Sequence, residues 1–207
     1  MLIDAHSLLS IFEQEVDPLY RAWHLPTLQA HYTQYYQKTP AQKSTNLYSL
    51  ALVLSMLSLS TFLSSNIFTQ RPPPELMACL FLHPSQITGF DAPRLHFARF
   101  YLSAALFLLD RSDHTIVECL QADLMCGIAI SLFGANRVFL NHLSGVVKKA
   151  QILGIHIDPI KTGLDLSPRQ QEERRRLWWT IQTLDCINCL TLGLPLTSQT
   201  SDINRMF

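Results

Sequence analysis

The sequence predicts an all-α protein, a compact bundle of seven or eight helices arranged largely as antiparallel helical hairpins. Apolar residues recur at intervals of three and four along most of the chain, which is the period of helices that pack on one side. Only 7 of the 207 residues are glycine, and no stretch reads as a convincing strand. The hydrophobic fraction of 48% is large enough to build a substantial core.

The first third of the chain predicts three helices. Leu2–Val16 carries one apolar stripe, and Pro18 should end or bend that helix. Pro26 opens a second short helix toward Tyr36. The uncharged run Leu47–Leu63 is the most apolar part of the chain. We interpret this run as a buried central helix; a membrane span is the alternative, but a run of about 17 residues is at the lower limit for spanning.

The middle of the chain predicts a stiff loop, a short helix and a hairpin. Consecutive prolines in Arg71–Pro74 cannot lie inside a helix. Glu75–Leu82 reads as a short helix. Arg94–Leu109 and Thr115–Phe133 are apolar helices joined by a short turn, and Gly134 stands where a C-terminal cap is expected.

The last third predicts two longer helices and a linker. Arg137–Leu153 has one apolar face and stops at Gly154. Ile155–Leu166 is the linker. Ser167-Pro168-Arg169-Gln170 has the pattern of an N-cap, a first-turn proline and a capping-box glutamine. That helix should continue to Leu192.

Composition and motifs exclude several function classes. Lys+Arg and Asp+Glu number 16 each, so the chain lacks the basic excess of a free-standing nucleic-acid binder. The five cysteines lie in apolar stretches, which favours reduced, buried thiols, and Cys186-x-x-Cys189 has no second ligand pair nearby to complete a metal site. No glycine-rich phosphate loop, H-E-x-x-H or G-x-S-x-G occurs. We therefore expect no catalytic residue, no cofactor and no metal in this chain.

Three segments resemble a known family. Glu173–Trp179 reads E-R-R-R-L-W-W, and it is followed by Asp185 and by Gly193-Leu194-Pro195. Ala150–Pro159 reads A-Q-I-L-G-I-H-I-D-P, and Trp23–Leu28 contains H-x-P. Together they resemble the fungal-specific transcription factor domain, the middle homology region of fungal zinc-cluster regulators. The signature residues marked by this resemblance are Arg175, Arg176, Trp178, Trp179, Asp185, Gly193, Pro195, Gly154, His156, Asp158, Pro159, His24 and Pro26.

The resemblance implies a regulatory role. Residues 1–207 would form a single, incomplete regulatory middle homology domain that controls transcription in the nucleus. DNA binding and zinc would belong to a six-cysteine module absent from this chain. Partners would be other domains of the parent factor, a second copy or a coregulator, and a small-molecule effector, without direct contact to nucleic acid or membrane. The alternative is a helical small-molecule or lipid-binding protein with no DNA-linked role, whose apolar pocket would lie between Leu47–Leu63 and Arg94–Leu109.

The signature residues also predict local structure. Trp178 and Trp179 point about 100° apart on one helix, so we expect that helix to be covered on more than one side and to sit centrally. Asp185 should be a structural acceptor that holds backbone or an arginine, because burial of an unpaired charge is costly. Arg174, Arg175 and Arg176 should cover the tryptophans with their stems and place their charged heads in water or against carboxylates.

Overall fold

The computed structural model describes residues 5–37, 46–64, 93–112 and 116–198. These residues form seven α-helices, one short 3-10 helix and no strand, which confirms the predicted all-α class. The predicted loop Arg71–Pro74, the predicted helix Glu75–Leu82 and Cys79 lie outside the described residues. The helices are α1 (the consecutive stretches Ala5–Ile11, Phe12–Val16 and Asp17–Tyr20), α2 (Leu25–Gln37), α3 (Leu47–Leu63), α4 (Pro93–Asp110), α5 (Val117–Leu132), α6 (Asn136–Ile152) and α7 (Pro168–Leu192), with the 3-10 helix at Pro159–Thr162.

Helix α1 passes through Pro18 instead of ending there. Its middle stretch, Phe12–Val16, is a π-helical turn in which the backbone N–H of Asp17 donates to the carbonyl of Phe12. Proline has no N–H for an ordinary i→i−4 bond and crowds the preceding turn, and a widened turn just before it accommodates both effects. The helix then ends at Arg21, which adopts a left-handed conformation with φ of 48°.

Helix α3 is the centre of the bundle, as the sequence predicts, and it packs against α4 and α5. Its serine hydroxyls are satisfied without water. Ser55 and Ser60 donate to carbonyls of α3 itself, and Ser58 donates to the Ala98 carbonyl of α4 at 2.8 Å. Small residues at these positions allow the two helices to approach closely. None of the helices in the described ranges combines the length and the apolar character needed to cross a membrane.

The close approach of α3 and α4 bears on the alternative function. The alternative function placed an apolar pocket between these helices, but the Ser58–Ala98 hydrogen bond and the burial of Leu102 and Ala105 show direct packing there. Serine and alanine bring the helix axes together at these positions of the described interface.

The remaining helices pack against their neighbours along the chain. Helix α5 packs against α4 and against α6, and α6 packs against α7. Gly134 takes the predicted left-handed conformation, with φ of 75°. Helix α7 starts with the predicted capping box, in which Ser167 accepts from the Gln170 backbone while the Gln170 side chain accepts from the Ser167 N–H. The predicted linker holds one regular element, the 3-10 helix.

Candidate functional site

A two-pronged ion pair ties helix α7 to the loop that precedes it. Arg175 Nε donates to Asp158 Oδ2, and Arg175 Nη2 donates to Asp158 Oδ1, both at 3.1 Å. This bidentate geometry fixes both side chains. The Arg175 guanidinium, and then the Ile160 backbone N–H, lower the pKa of the Asp158 carboxyl, and the same pair raises the pKa of Arg175. Two of the predicted signature segments therefore meet through this pair.

The loop that carries Asp158 is shaped by its own sequence. Gly154 has φ of 68°, and the Ile155 N–H donates back to the Ala150 carbonyl at 2.9 Å, which ends α6 in the way a left-handed glycine permits. His156 is buried, and its ring centroid lies 5.9 Å from that of Trp178. Pro159 is buried as the first residue of the 3-10 helix.

The two signature tryptophans have different environments, which corrects the prediction that their helix sits centrally and is covered on both of these sides. Trp178 is fully buried, whereas 36% of Trp179 is exposed. On the same helix, Ile187 and Leu190 are exposed at 56% and 75%. Helix α7 lies at the edge of the bundle, so its face toward α6 is covered and the face 100° away is not.

Asp185 is a buried carboxylate that holds the backbone after α7. Its Oδ2 accepts from the Thr197 N–H at 3.0 Å, the Ser198 N–H at 3.0 Å and the Ser198 hydroxyl at 2.9 Å. Its Oδ1 accepts from the Cys189 thiol at 3.5 Å. Within the described ranges no cation lies within 4 Å of it, and the side chain is buried with 1% exposure. Backbone N–H groups and a hydroxyl therefore surround this charge.

A glycine turn brings that backbone within reach of Asp185. Gly193 has φ of 67°, and the Leu194 N–H donates to the Cys189 carbonyl at 2.8 Å. This arrangement reverses the chain at the end of α7. Pro195 follows on the exposed side of the turn.

The three arginines before the tryptophans differ in their partners. Arg175 pairs with Asp158, and Arg176 Nε lies 2.8 Å from Glu172 Oε1. Arg174 has no carboxylate within 4 Å in the part of the chain that the structure describes. Burial lowers the pKa of the Arg174 guanidinium, and the charge of Glu118 acts in the opposite direction. Arg174 is thus half-buried without a close counter-ion.

The opening signature element lies beside α7. Helix α2 begins at Leu25 with Pro26 in its first turn, and His24 Nδ1 lies 2.8 Å from the Thr27 hydroxyl oxygen. Just before it, the Tyr20 carbonyl accepts from the Thr180 hydroxyl of α7 at 2.9 Å. The end of α1 is therefore in direct contact with α7.

A cavity of about 300 Å³ lies where the first turns of α2, α5 and α7 converge. It is partly open to solvent, and its walls come from four parts of the chain that are far apart in sequence. Its lining residues are Trp23, His24, Thr27, Leu28, Leu52, Ile116, Val117, Glu118, Gln121, Leu166, Arg169, Gln170, Glu173 and Arg174.

Sequence reasoning did not identify this cavity. Of the signature residues only His24 lines it, and Glu118 and Gln121 were not singled out at all. A signal did exist, because these two polar residues occupy the first two turns of α5, a helix in which the residues from Cys119 to Ile130 are buried. A polar pair three positions apart in such a helix shares one face.

The four cysteines that the structure describes are not grouped with other metal-binding side chains. Cys119, Cys126 and Cys189 are buried, and burial raises the pKa of each of these thiols. Across the described ranges, no three His, Cys, Asp or Glu side chains are grouped as metal ligands.

Comparison with known proteins shows the family to which this chain belongs. The curated protein apolipoprotein F from Homo sapiens is 28% identical over 129 residues, which are 58% of this chain and 36% of that protein. The chain thus spans little more than a third of the length of the curated relative it matches. No solved structure matches the chain. The model of the fungal specific transcription factor domain matches residues 9–205, nearly the whole chain. The chain therefore belongs to the fungal-specific transcription factor domain family.

Proposed function

We propose that this chain is the effector-responsive regulatory domain of a fungal zinc-cluster transcription factor. Family membership over residues 9–205 supports a role in transcription factor regulation. The cavity is the observation that supports a response to an effector, because residues near His24, Glu118 and Arg174 form it jointly. A ligand there would contact the beginning, the middle and the end of the described chain at once.

Such a cavity suits regulation by a shift between two arrangements. A ligand favours the arrangement that it binds more tightly. Helix α7 contributes to the cavity wall at its first turns and holds the following backbone through Asp185 near its other end. Occupancy of the cavity would bias the position of α7 and therefore the surface that α7 offers to other domains.

The other assignments follow from the same proposal. The chain acts in the nucleus and is not an enzyme. DNA binding and zinc binding belong to a separate module, and this chain contacts neither nucleic acid nor membrane. Its partners are other domains of the parent factor, a coregulator or a second copy, and a small-molecule effector.

A tethering experiment tests the proposal. The full chain, fused to an unrelated DNA-binding module, should change the output of a reporter gene, and filling the cavity should alter that change. Val117→Phe adds bulk to the cavity wall, whereas Val138→Phe makes the same exchange at a position 57% exposed on α6.

The expected result is an altered reporter output for Val117→Phe and an unaltered output for Val138→Phe, with both variants still folded. If the two variants behave alike, the cavity has no regulatory part. If the fused chain leaves the reporter unchanged while it binds a small molecule, the alternative of a binding protein without a DNA-linked role is favoured.

A further inference from the structure

The cavity contains one cation and one anion that are not paired with each other. Arg174 of α7 and Glu118 of α5 both line it. In the described ranges neither has an oppositely charged group within 4 Å. Both side chains are half-buried, so their solvation by bulk water is incomplete and each gains from an opposite charge nearby.

Most of the other polar groups of the cavity already have partners, and the exception is the Trp23 indole N–H, which is buried. Arg169 Nε lies 3.5 Å from Glu173 Oε1, and His24 is bonded to Thr27. The Gln121 amide nitrogen donates to the Ala22 carbonyl at 2.9 Å. The charged groups that remain for a ligand are therefore the Arg174 cation and the Glu118 anion.

The rest of the lining is apolar. Trp23, Leu28 and Leu52 are each more than nine-tenths buried, and Ile116 and Val117 extend the same wall. A volume of about 300 Å³ holds one small organic molecule and lies at the lower end of the range for ligand pockets. The site offers one apolar wall and two opposite charges.

We propose that this cavity binds a small zwitterion of the α-amino-acid class that carries an apolar side chain. Its carboxylate pairs with Arg174, its ammonium group pairs with Glu118, and its side chain packs against Trp23, Leu28 and Leu52. A simple anion would leave Glu118 unpaired beside a second negative charge, and a simple amine would leave Arg174 unpaired. Only the regulatory consequence of this binding rests on the proposed function.

Calorimetric titration of the full chain with L-leucine, L-isoleucine, L-valine and L-phenylalanine tests this proposal. At least one of these amino acids should bind. For L-leucine the matched probes are isocaproate, which lacks the ammonium group, and isoamylamine, which lacks the carboxylate. An amino acid that binds should bind at least about tenfold more tightly than analogues lacking either charge, because each loses a charged hydrogen bond.

Two variants locate the binding. Arg174→Gln and Glu118→Gln should each weaken it at least about tenfold. Arg137→Gln and Glu15→Gln change exposed residues outside the cavity and should leave the affinity unchanged. The melting temperature of each variant identifies any that does not fold, and either cavity variant alone is sufficient for the test.

Three results would overturn the proposal: no binding of any of the four amino acids, equal affinity for isocaproate or isoamylamine, or unchanged affinity in either folded cavity variant. Binding without a reporter response would contradict the proposed function and leave this inference standing. A reporter response that depends on Val117, with no amino-acid binding, would contradict this inference and leave the proposed function standing.

Discussion

Replacing Asp185 should release the backbone that follows α7. In Asp185→Ala the Thr197 and Ser198 N–H groups and the Ser198 hydroxyl lose their common acceptor, to which they donate at 2.9–3.0 Å. A hydrogen bond to a charged group contributes roughly 1.5–3 kcal/mol. The three contributions do not simply add. Folding of the variant no longer has to remove a carboxylate from water, and the half-exposed Thr197 can bond to water instead.

We therefore expect a net loss of about 3 kcal/mol in the free energy of unfolding. For a chain of this size, each kcal/mol lowers the melting temperature by roughly 2–4 °C, so Asp185→Ala should melt about 6–12 °C below the wild type. The assay is thermal unfolding followed by circular dichroism, together with limited proteolysis of the native protein, which should cut faster near Ser198.

Two further variants make this experiment decisive. Asp185→Asn keeps an acceptor oxygen but not the charge, so its melting temperature should lie between those of the wild type and Asp185→Ala. Asp165→Ala removes an exposed carboxylate of the loop before α7 and should change little. If Asp185→Ala melts within about 1 °C of the wild type, the carboxylate does not anchor this backbone and the reasoning is wrong.

Three more predictions concern the signature residues. Trp178→Ala should cost roughly 3–5 kcal/mol in unfolding free energy because Trp178 is fully buried, while Trp179→Ala should cost less, about 1–2 kcal/mol, because Trp179 is partly exposed; similar losses in denaturant titrations would contradict the assigned environments. The lowered pKa of Asp158 means that its pair with Arg175 stabilises the fold above the unfolded-state pKa of about 3.9 and that this contribution is lost as the pH falls through the lower folded-state value. The melting temperature of Asp158→Asn should thus lie below that of the wild type at neutral pH, with the gap closing in acid; a constant gap would rule out this ionic contribution. Gly193→Ala should cost about 1–2 kcal/mol, because φ is 67° and the added methyl group meets no atom within 4 Å; an unchanged midpoint in urea would argue against the left-handed turn.

The local parts of the fold could be predicted from the sequence, because their causes lie within a few residues. Ser167, Pro168 and Gln170 specify the start of α7 through bonds to their own backbone. Gly154 and Gly193 mark helix ends, since a left-handed residue is favoured there. Such signals do not depend on the packing of distant elements.

The path of α1 through Pro18 could not be predicted in the same way. Proline alone indicates that a helix ends or bends. Here the helix continues because Phe12–Val16 forms a π-helical turn, in which Phe12 and Val16 are buried in the core. Tertiary burial of these two side chains stabilises a turn that the local sequence does not favour.

The environment of Trp179 and the position of the cavity depend on how whole helices are arranged. A pair of adjacent tryptophans gives the angle between them, but only the packing of α7 on α6 decides which one is covered. Likewise, Glu118 and Arg174 are 56 positions apart in the chain (174 − 118), and no local pattern connects them. The prediction that residues 1–207 form one regulatory domain remains a prediction.

The apolar character of helix α3 has a consequence for the synthesis of the protein. Helix α3 leaves the ribosome before α4 and α5, the two helices that cover it in the folded structure. Until they emerge, an uncharged and strongly apolar segment is exposed to other nascent chains, and such segments aggregate readily. Leu47–Leu63 should therefore be the segment on which a chaperone acts during translation.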